Sequence, residues 1–391
     1  MTLRRSSRKK PHRQAKMILT NCAACAAPLP HKAKQCSRCK TRYCGPACQK
    51  EHWDAAGGHK DICKKIKKGG GAEQYHADKK TKEAVAVAAE VCADDTKGQT
   101  CYICTQTFHW KTKEGLVRMC ACRGTAGFAH VSCLAEQAKI LFAEAEENNL
   151  DDKVKIARWA RWYTCSLCEQ DYHGVVACAL GWACWKTYLG RPETNWCRGA
   201  AMTQLGTGLH EAKLHEDALP VYEANLSMKR RVGASENNIL VMQSNIACTY
   251  RALGRFEEAL RMRRDVYSGF MKLHGEEHAD TLDTANNYAW SLYQSKRFKE
   301  AKALLCKTLL VARRVIGDNS DLTLTMRWNY AQALYGDPAA TLDDIREAVE
   351  TLDAAERIAR RVLGGANPTA TGIGASLKNA RAKLRARKTE P

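Results

Sequence analysis

Sixteen cysteines and histidines stand in paired spacings that suit metal ligation. The first eight run Cys22-x2-Cys25, Cys36-x2-Cys39, Cys44-x3-Cys48 and His59-x3-Cys63. The second eight run Cys101-x2-Cys104, Cys120-x-Cys122, His130-x2-Cys133 and Cys165-x2-Cys168. A CxxC pair lets two thiolates reach one ion from a tight turn, and residues four apart share one face of a helical turn. Zinc takes four such ligands in a tetrahedron, and a structural site leaves no position open. Each set of eight therefore makes two closed sites, and four Zn2+ per chain are expected. Spacing alone leaves open which pairs share an ion.

The elements that carry these pairs must keep their thiols reduced. The first 20 residues hold seven Lys or Arg and no acid, but no apolar core, so no secretory signal is visible. Clustered cysteines then read as metal ligands before disulfides, and a cytoplasmic or nuclear compartment is expected. An acid-free, Arg/Ser-rich start also fits an organelle transit peptide; the onset of metal-type cysteines at Cys22 argues against it. The apolar stretch Val175 to Leu189 is short and interrupted by Lys186, which favours a buried helix over a membrane span. The formal charge is +20, and 12 of those charges fall in residues 1–20 and 376–391. Charge concentrated in two tails favours solvated ends over a basic groove, and argues against nucleic acid as the main partner.

The stretch "YCGPACQKEHW…HKDIC" resembles the MYND zinc finger, and the resemblance covers about residues 22–63. It implies interleaved sites, with Cys22, Cys25, Cys44 and Cys48 on one ion and Cys36, Cys39, His59 and Cys63 on the other. MYND modules bind short, often proline-containing peptides. The methyltransferases that carry this finger also carry a SET domain; no SET-like motif is found here, which argues against methyl transfer. His31 and His52 are expected to be surface histidines, and Trp53 a packing anchor.

"CRGTAGFAHVSCL" and "CSLCEQDY" resemble the central and closing signatures of the RING-CH (RING-variant) finger over about residues 98–175. The resemblance implies a cross-brace: Cys101, Cys104, His130 and Cys133 on one ion, Cys120, Cys122, Cys165 and Cys168 on the other. Gly124 and Gly127 would turn the backbone between clamped ends, and His109 and His173 need no metal role. RING-type ligases hold a ubiquitin-loaded conjugating enzyme beside a substrate. The family's docking surface includes an apolar residue inside the first CxxC, here Ile103. Two features depart from the pattern. "CLAEQAK" lacks the usual tryptophan after the sixth ligand, and the gap from Cys133 to Cys165 is long. That gap reads as an extended helix over 134–160, whose Trp159 and Trp162 either replace the missing contact or cap the core.

Beyond residue 200 the chain repeats. Gly233, Gly275 and Gly317 are 42 apart, as are Leu240, Leu282 and Leu324, and Ala247, Ala289 and Ala331. "GRFEEAL" at 254–260 returns as "KRFKEAK" at 296–302, with a degenerate "KLHEDAL" at 213–219. A period near 40 fits HEAT or lengthened tetratricopeptide repeats. "HGEEHADTLDTANNYAWSLYQSKRFKEA" resembles a kinesin-light-chain-type tetratricopeptide repeat, over about residues 201–365. In that family first-helix asparagines can clamp a peptide backbone from the concave groove. Asn245, Asn287 and Asn329 occupy that position; they serve equally well to satisfy groups between helices. Cys92, Cys178, Cys184, Cys197, Cys248 and Cys306 lack partner spacing and are expected to be buried small hydrophobes.

The expected architecture is two small cross-braced zinc-finger domains followed by an all-α tetratricopeptide-repeat superhelix. Its parts are a basic tail (1–20), the MYND-type finger (21–64), a basic linker (65–97), the RING-CH-type finger with its extended helix (98–190), the repeats (201–375) and a second basic tail (376–391). The expected function is a zinc-dependent protein-interaction protein. It is either a ubiquitin ligase that recruits a conjugating enzyme, with MYND and repeats selecting substrate, or a non-catalytic adaptor. Proteins and peptides are the expected partners.

Overall fold

A computed structural model describes residues 21–27, 29–30, 32–365 and 367–389. The basic tail at 1–20 and His31 lie outside the described residues. The chain divides into two compact units, with the boundary between Val232 and Gly233.

The first unit opens on two short antiparallel strands, β1 (Lys34–Gln35) and β2 (Arg42–Tyr43), in the register Lys34 to Tyr43 and Gln35 to Arg42. Helices α1 (Pro46–Asp54) and α2 (His59–Lys68) follow, α1 with proline in its first turn, where its missing N–H is not needed. The expected linker 65–97 is mostly the helix α3 (Ala72–Val91). The glycines read as a flexible joint instead make a tight reversal. Gly70 and Gly71 sit at φ 85° and 97°, and the Ala72 N–H donates to the Cys39 carbonyl at 2.8 Å. Val85, Ala88 and Cys92 then enter the core of the second finger beside Leu116, Val117, Phe128 and Leu180. A domain this small cannot bury enough on its own, and α3 supplies a missing wall.

The long gap between Cys133 and Cys165 is a helical hairpin rather than one helix. It comprises α4 (Val131–Glu147), α5 (Asp152–Trp159) and a 3-10 turn at Ala160–Trp162. Asp151 starts α5 by accepting from the Val154 N–H at 2.9 Å. Trp159 and Trp162 are buried among Phe142, Tyr188 and Trp196, with ring centroids 4.9–6.5 Å apart. They cap a core and present no docking face. Val175 to Leu189 lies almost wholly in α6 (Gly174–Tyr188), which is buried from Val176 to Trp185. No helix among the described residues is long and apolar enough to cross a membrane. Helices α7 (Trp196–Glu211) and α8 (His215–Arg231), the degenerate first repeat, complete this unit.

The second unit is a run of helices: α9 (Glu236–Ala252), α10 (Phe256–His274), α11 (Ala279–Gln294), α12 (Phe298–Val315), α13 (Asp321–Gly336), α14 (Leu342–Val362) and α15 (Pro368–Thr389). Consecutive helices pack as antiparallel pairs, and the 42-residue period has a physical origin. Gly233, Gly275 and Gly317 lie at φ 67°, 81° and 83°, just past helix ends, where a left-handed residue satisfies the last carbonyls. Leu240, Leu282 and Leu324 and the matching alanines 247, 289 and 331 are all buried.

The expected C-terminal tail at 376–391 is largely helical and packed, since α15 runs to Thr389. Ile373, Leu377 and Ala380 are buried. The Lys383 ammonium donates to the Tyr335 and Asp337 carbonyls at 2.6 and 3.1 Å, closing the end of α13, and Arg381 pairs with Asp353 at 2.7 Å. An apolar stripe at i, i+4 and i+7 was hidden among the basic residues.

Candidate metal centres

Four clusters of cysteine and histidine form in the first unit. Cys22, Cys25, Cys44 and Cys48 gather in one, and Cys36, Cys39, His59 and Cys63 in the next. Cys101, Cys104, His130 and Cys133 make the third, and Cys120, Cys122, Cys165 and Cys168 the fourth. Within each, the ligand atoms lie within 4.8 Å of one another. A tetrahedron with Zn–S of about 2.3 Å has S···S edges of about 3.8 Å. Three sulfur pairs fit, Cys25–Cys44 at 3.7 Å, Cys36–Cys63 at 3.9 Å and Cys122–Cys165 at 3.7 Å, while Cys44–Cys48 is shorter at 3.2 Å. A disulfide would need about 2 Å, and every cysteine is free. The donor sets therefore fit zinc.

The backbone shows how each CxxC pair is built, a detail that spacing did not reveal. At Cys22, Cys36, Cys101 and Cys165 the same loop recurs. The first cysteine's N–H donates to the carbonyl five residues on, and the N–H four residues on donates back to that cysteine's carbonyl, all at 2.7–3.0 Å. The residue after the second cysteine is left-handed in every case: Ala26, Lys40, Thr105 and Glu169, at φ 56–64°. None is glycine, so each loop holds strain. Amides aimed at sulfur complete two of the loops, Ile103 N to Cys101 Sγ at 3.4 Å and Leu167 N to Cys165 Sγ at 3.5 Å. Gly127, at φ 86°, passes so close to Cys122 that an added Cβ would stand 2.6 Å from the cysteine's own.

The histidines are oriented from outside. His130 Nδ1 faces Cys104 Sγ at 3.3 Å and Cys133 Sγ at 3.6 Å, while its Nε2 faces the Thr107 carbonyl at 3.3 Å. A proton on Nε2 fixes the tautomer and leaves the Nδ1 lone pair for an ion. His59 faces Cys39 Sγ through Nε2 at 3.3 Å. His52 is instead joined to the Tyr43 hydroxyl at 3.1 Å, and Trp53 packs against the His59 ring at 5.7 Å. His173 precedes α6 as its N-terminal cap residue.

His109, expected to be idle, is buried at the centre of a metal-free copy of the loop. Its N–H donates to the Glu114 carbonyl at 3.0 Å and Lys113 N–H returns to its carbonyl at 2.9 Å, with Lys113 at φ 61°. Thr112 N–H donates to His109 Nδ1 at 3.1 Å, and Glu114 accepts from Ser132 N and Oγ at 2.7 and 2.8 Å at the start of α4.

Electrostatics show why these clusters need a cation. Burial pushes the Cys63 thiol up to about 12, with hydrogen bonds to Cys39 and Cys36 adding to the shift. Burial likewise raises Cys122 to about 11. At Cys22 burial is outweighed by amide hydrogen bonds from Cys25, Cys44 and Ala24, which bring the thiol down to about 6. At Cys168 burial is outweighed by the combined hydrogen bonds from the Gln170 amide, Cys122, Cys165 and the Ala121 amide, which bring the thiol down to about 7. In the first cluster the Cys22 thiol is lowered while Cys44 and Cys48 are raised, and in the fourth Cys168 is lowered while Cys120 and Cys122 are raised. A divalent ion supplies the charge that lets all of them ionise.

Another grouping, His274, His278 and Asp280, is fully exposed. Its two rings stack at 4.3 Å and 19°, and His278 Nδ1 accepts from the Asp280 N–H at 3.2 Å. A metal lies in the plane of an imidazole, so stacked rings do not share one. This is a helix cap.

Outside the clusters, Ile103 is 36% exposed and Leu167 is 51% exposed. Their loops abut, since Tyr102 and Ser166 share a hydrogen bond at 3.0 Å. Of the asparagines, Asn329 is buried and its amide donates to Asn286 Oδ1 at 2.8 Å. That amide is used inside the array, which favours packing over peptide capture. Asn287 is half-buried and donates to Asp283 at 3.0 Å, while its main-chain carbonyl accepts from the buried Arg263 at 2.6 Å. Asn245 is half-buried. Cys92, Cys178, Cys184 and Cys197 are buried as expected; Cys248 is half-buried and Cys306 is exposed on α12, so the expectation fails for that last thiol.

Three family models match the chain: MYND finger over residues 22–63, RING-variant domain over 101–150, and tetratricopeptide repeat over 198–272 and 238–309. The RING-variant match ends before Cys165 and Cys168, which the α4–α5 hairpin returns to the cluster. No curated protein matches the chain. Among solved structures, a kinesin-light-chain protein with nearly identical TPR-like repeats from Podosopora anserina is 19% identical, with a TM-score of 0.42, covering 51% of this chain and 90% of that one. BtubC (BKLC) from P. vanneervenii is 13% identical, with a TM-score of 0.37, covering 67% and 93%. At such scores these likenesses carry no functional argument. The fingers and the repeats support a protein-interaction role, with proteins as partners. The chain is thus a MYND finger and a RING-variant finger, both with zinc-binding clusters, joined to tetratricopeptide repeats.

Proposed function

We propose that the chain is a RING-type ubiquitin ligase that binds four zinc ions through the sixteen residues of its four clusters. The RING-variant finger docks a ubiquitin-conjugating enzyme, while the MYND finger and the repeats choose the substrate. The observation that carries this reading is the exposed pair Ile103 and Leu167, one on each of two abutting metal loops. Two apolar side chains on rigid loops beside the ions, and not among the ligands, make a preorganised docking face. Asn245 and Asn287 would contribute to a peptide groove in the array. The zinc ions supply fold and not chemistry.

A second reading, a non-catalytic adaptor, is favoured by Leu134 to Lys139, which lacks the family's tryptophan; the neighbouring Trp159 and Trp162 are buried and do not replace it on the surface. Autoubiquitination with a broad panel of conjugating enzymes decides between the two. Ile103→Ala is expected to keep all its zinc and to lose about tenfold or more in transfer. A wild-type chain carrying four zinc ions that transfers no ubiquitin with any member leaves the adaptor.

A further inference from the structure

Thr105 to Lys113, the segment that leaves the first metal loop of the RING-variant finger, is pinned at several points. Thr105 and Lys113 bracket it, both left-handed at φ 60° and 61° although neither is glycine. The Cys101 N–H donates to the Gln106 carbonyl at 3.0 Å, and His130 Nε2 faces the Thr107 carbonyl at 3.3 Å. His109 is buried and packs edge-on against the His130 ring at 5.4 Å. The Lys113 N–H donates to the His109 carbonyl at 2.9 Å and closes a tight turn over Trp110, Lys111 and Thr112. Between these pins stand Phe108 and Trp110, 63% and 69% exposed. A single exposed apolar residue is ordinary. Here two aromatic rings flank one buried residue on a backbone held in a costly conformation, a combination that belongs to contact sites. Because the segment is already ordered, a partner that meets it loses little conformational entropy.

Charge selects the partner. Glu114 is the single acid between residues 96 and 135, against Lys97, Lys111, Lys113, Arg118 and Arg123. That acid is turned inward, accepting from Ser132 N and Oγ at 2.7 and 2.8 Å and from Thr112 Oγ1 at 2.9 Å. Lys97 and Arg118 pair with Asp94 and Asp95, each at 2.8 Å. Lys111 and Lys113, both exposed, leave the turn positive beside its two rings. An anionic partner fits. Nucleic acids reach aromatic platforms along grooves that track their backbone, whereas a tight turn is convex. A convex tip of Phe, Trp and Lys matches the interfacial layer of a bilayer, where tryptophan is enriched and lysines carry their charge out to the headgroups. We propose that the Phe108–Lys113 turn docks the chain peripherally on an anionic phospholipid bilayer. Phe108 and Trp110 enter the boundary between headgroups and acyl chains, and Lys111 and Lys113 meet the lipid phosphates and carboxylates. Such docking is independent of ligase activity.

Vesicle flotation with the full, zinc-loaded chain tests this, using phosphatidylcholine alone and phosphatidylcholine mixed with phosphatidylserine. The chain is expected to float with the mixed vesicles in preference to the neutral ones. The double variant Phe108→Ala and Trp110→Ala, with zinc content unchanged, is expected to lose about tenfold or more in partition, because the inserted apolar area is gone. Lys111→Gln with Lys113→Gln is expected to lose severalfold. Depth is read separately. A fluorotryptophan placed at residue 110 alone is expected to show strong relaxation of its fluorine signal by a spin label near the top of the acyl chains. Equal partition of wild type and the double alanine variant overturns the assignment, because other basic parts of the chain would then carry the binding. So does a fluorine signal that the spin label leaves untouched on vesicle-bound chain. A labelled single-stranded oligonucleotide that binds the wild type and loses about tenfold with the double alanine variant, at the stacking cost of the missing rings, makes the turn a nucleic-acid surface and overturns the bilayer.

Discussion

The metal loops and the repeat turns reverse the chain with the same backbone conformation but different residues. In the fingers the left-handed position holds Ala26, Lys40, Thr105 and Glu169. In the repeats the positive-φ position holds glycine at 233, 254, 275, 317 and 364, and lysine at 213 and 296. A side chain there costs about 1–2 kcal/mol. The repeats are assembled from many small burial increments, each comparable to that cost, and glycine avoids it at most of these turns. A finger is closed by ions whose apparent binding free energy is about 10–16 kcal/mol for a structural zinc, and tolerates the strain. The two halves are therefore held together by different physics, and they should fail under different insults.

Removing zinc is the largest expected effect. A strong chelator should unfold residues 22–170 and loosen α3, whose inner face belongs to the finger core. Helices α9 to α14 should keep their protection in hydrogen exchange. Cys122→Ser should do part of this by itself, losing one ion from the second finger while the first keeps its content. Loss of protection in α9–α14 on chelation would end the idea of separate support.

The opposite insult is a cavity in the array. Leu305 is fully buried on α12, packed with Leu282, Leu324 and Leu352. Leu305→Ala should cost the array about 2–5 kcal/mol and leave zinc content untouched, as read by denaturant unfolding alongside metal analysis. A drop in bound zinc would show that the halves are coupled.

Much of this contrast was legible in the residues. The sixteen ligands and the 42-residue period stand in the sequence because metals and left-handed turns demand particular residue types at fixed spacing. The linker and the C-terminal tail misled because local composition is a weak guide when a neighbour supplies the other half of a core. Three consecutive glycines read as a joint until Ala72 bonds back to Cys39. A run of lysines and arginines read as solvated until Leu377 is buried and Lys383 closes α13. The strained metal loops left no sequence signal, because Ala, Lys, Thr and Glu share no property except tolerance of one costly conformation. His109 was passed over for a related reason: it has no second ligand nearby, and its partners are an amide and a hydroxyl.

The asparagines refine the contrast within the array. Asn329→Ala removes the donor to buried Asn286 and should cost about 1–3 kcal/mol of stability. Asn287→Ala should cost less, since Arg263 keeps its bond to the main-chain carbonyl of residue 287. Thermal unfolding of the two variants side by side gives the order. If Asn287→Ala proves the more destabilising, the packing role moves to residue 287, and Asn329 becomes the better candidate for the groove.

The smallest effect tests the comparison most directly. Lys296 occupies at φ 59° the position that Gly254 holds at φ 75° one period earlier. No ion compensates the strain there. Lys296→Gly removes a left-handed penalty of about 1–2 kcal/mol but adds backbone entropy to the unfolded chain, worth about 0.5–1 kcal/mol. The net is a stabilisation of about 0.5–1 kcal/mol, seen as a higher denaturant midpoint with an unchanged slope. Gly254→Lys should shift the midpoint the other way by a similar amount. At Thr105 the same exchange to glycine acts in a metal loop, so its effect should appear as slower zinc loss to a chelator, with the unfolding midpoint of the array unmoved. If Lys296→Gly is neutral while Thr105→Gly speeds zinc loss, the strain argument is wrong. The side chains at these positions would then be contributing contacts that outweigh their backbone cost.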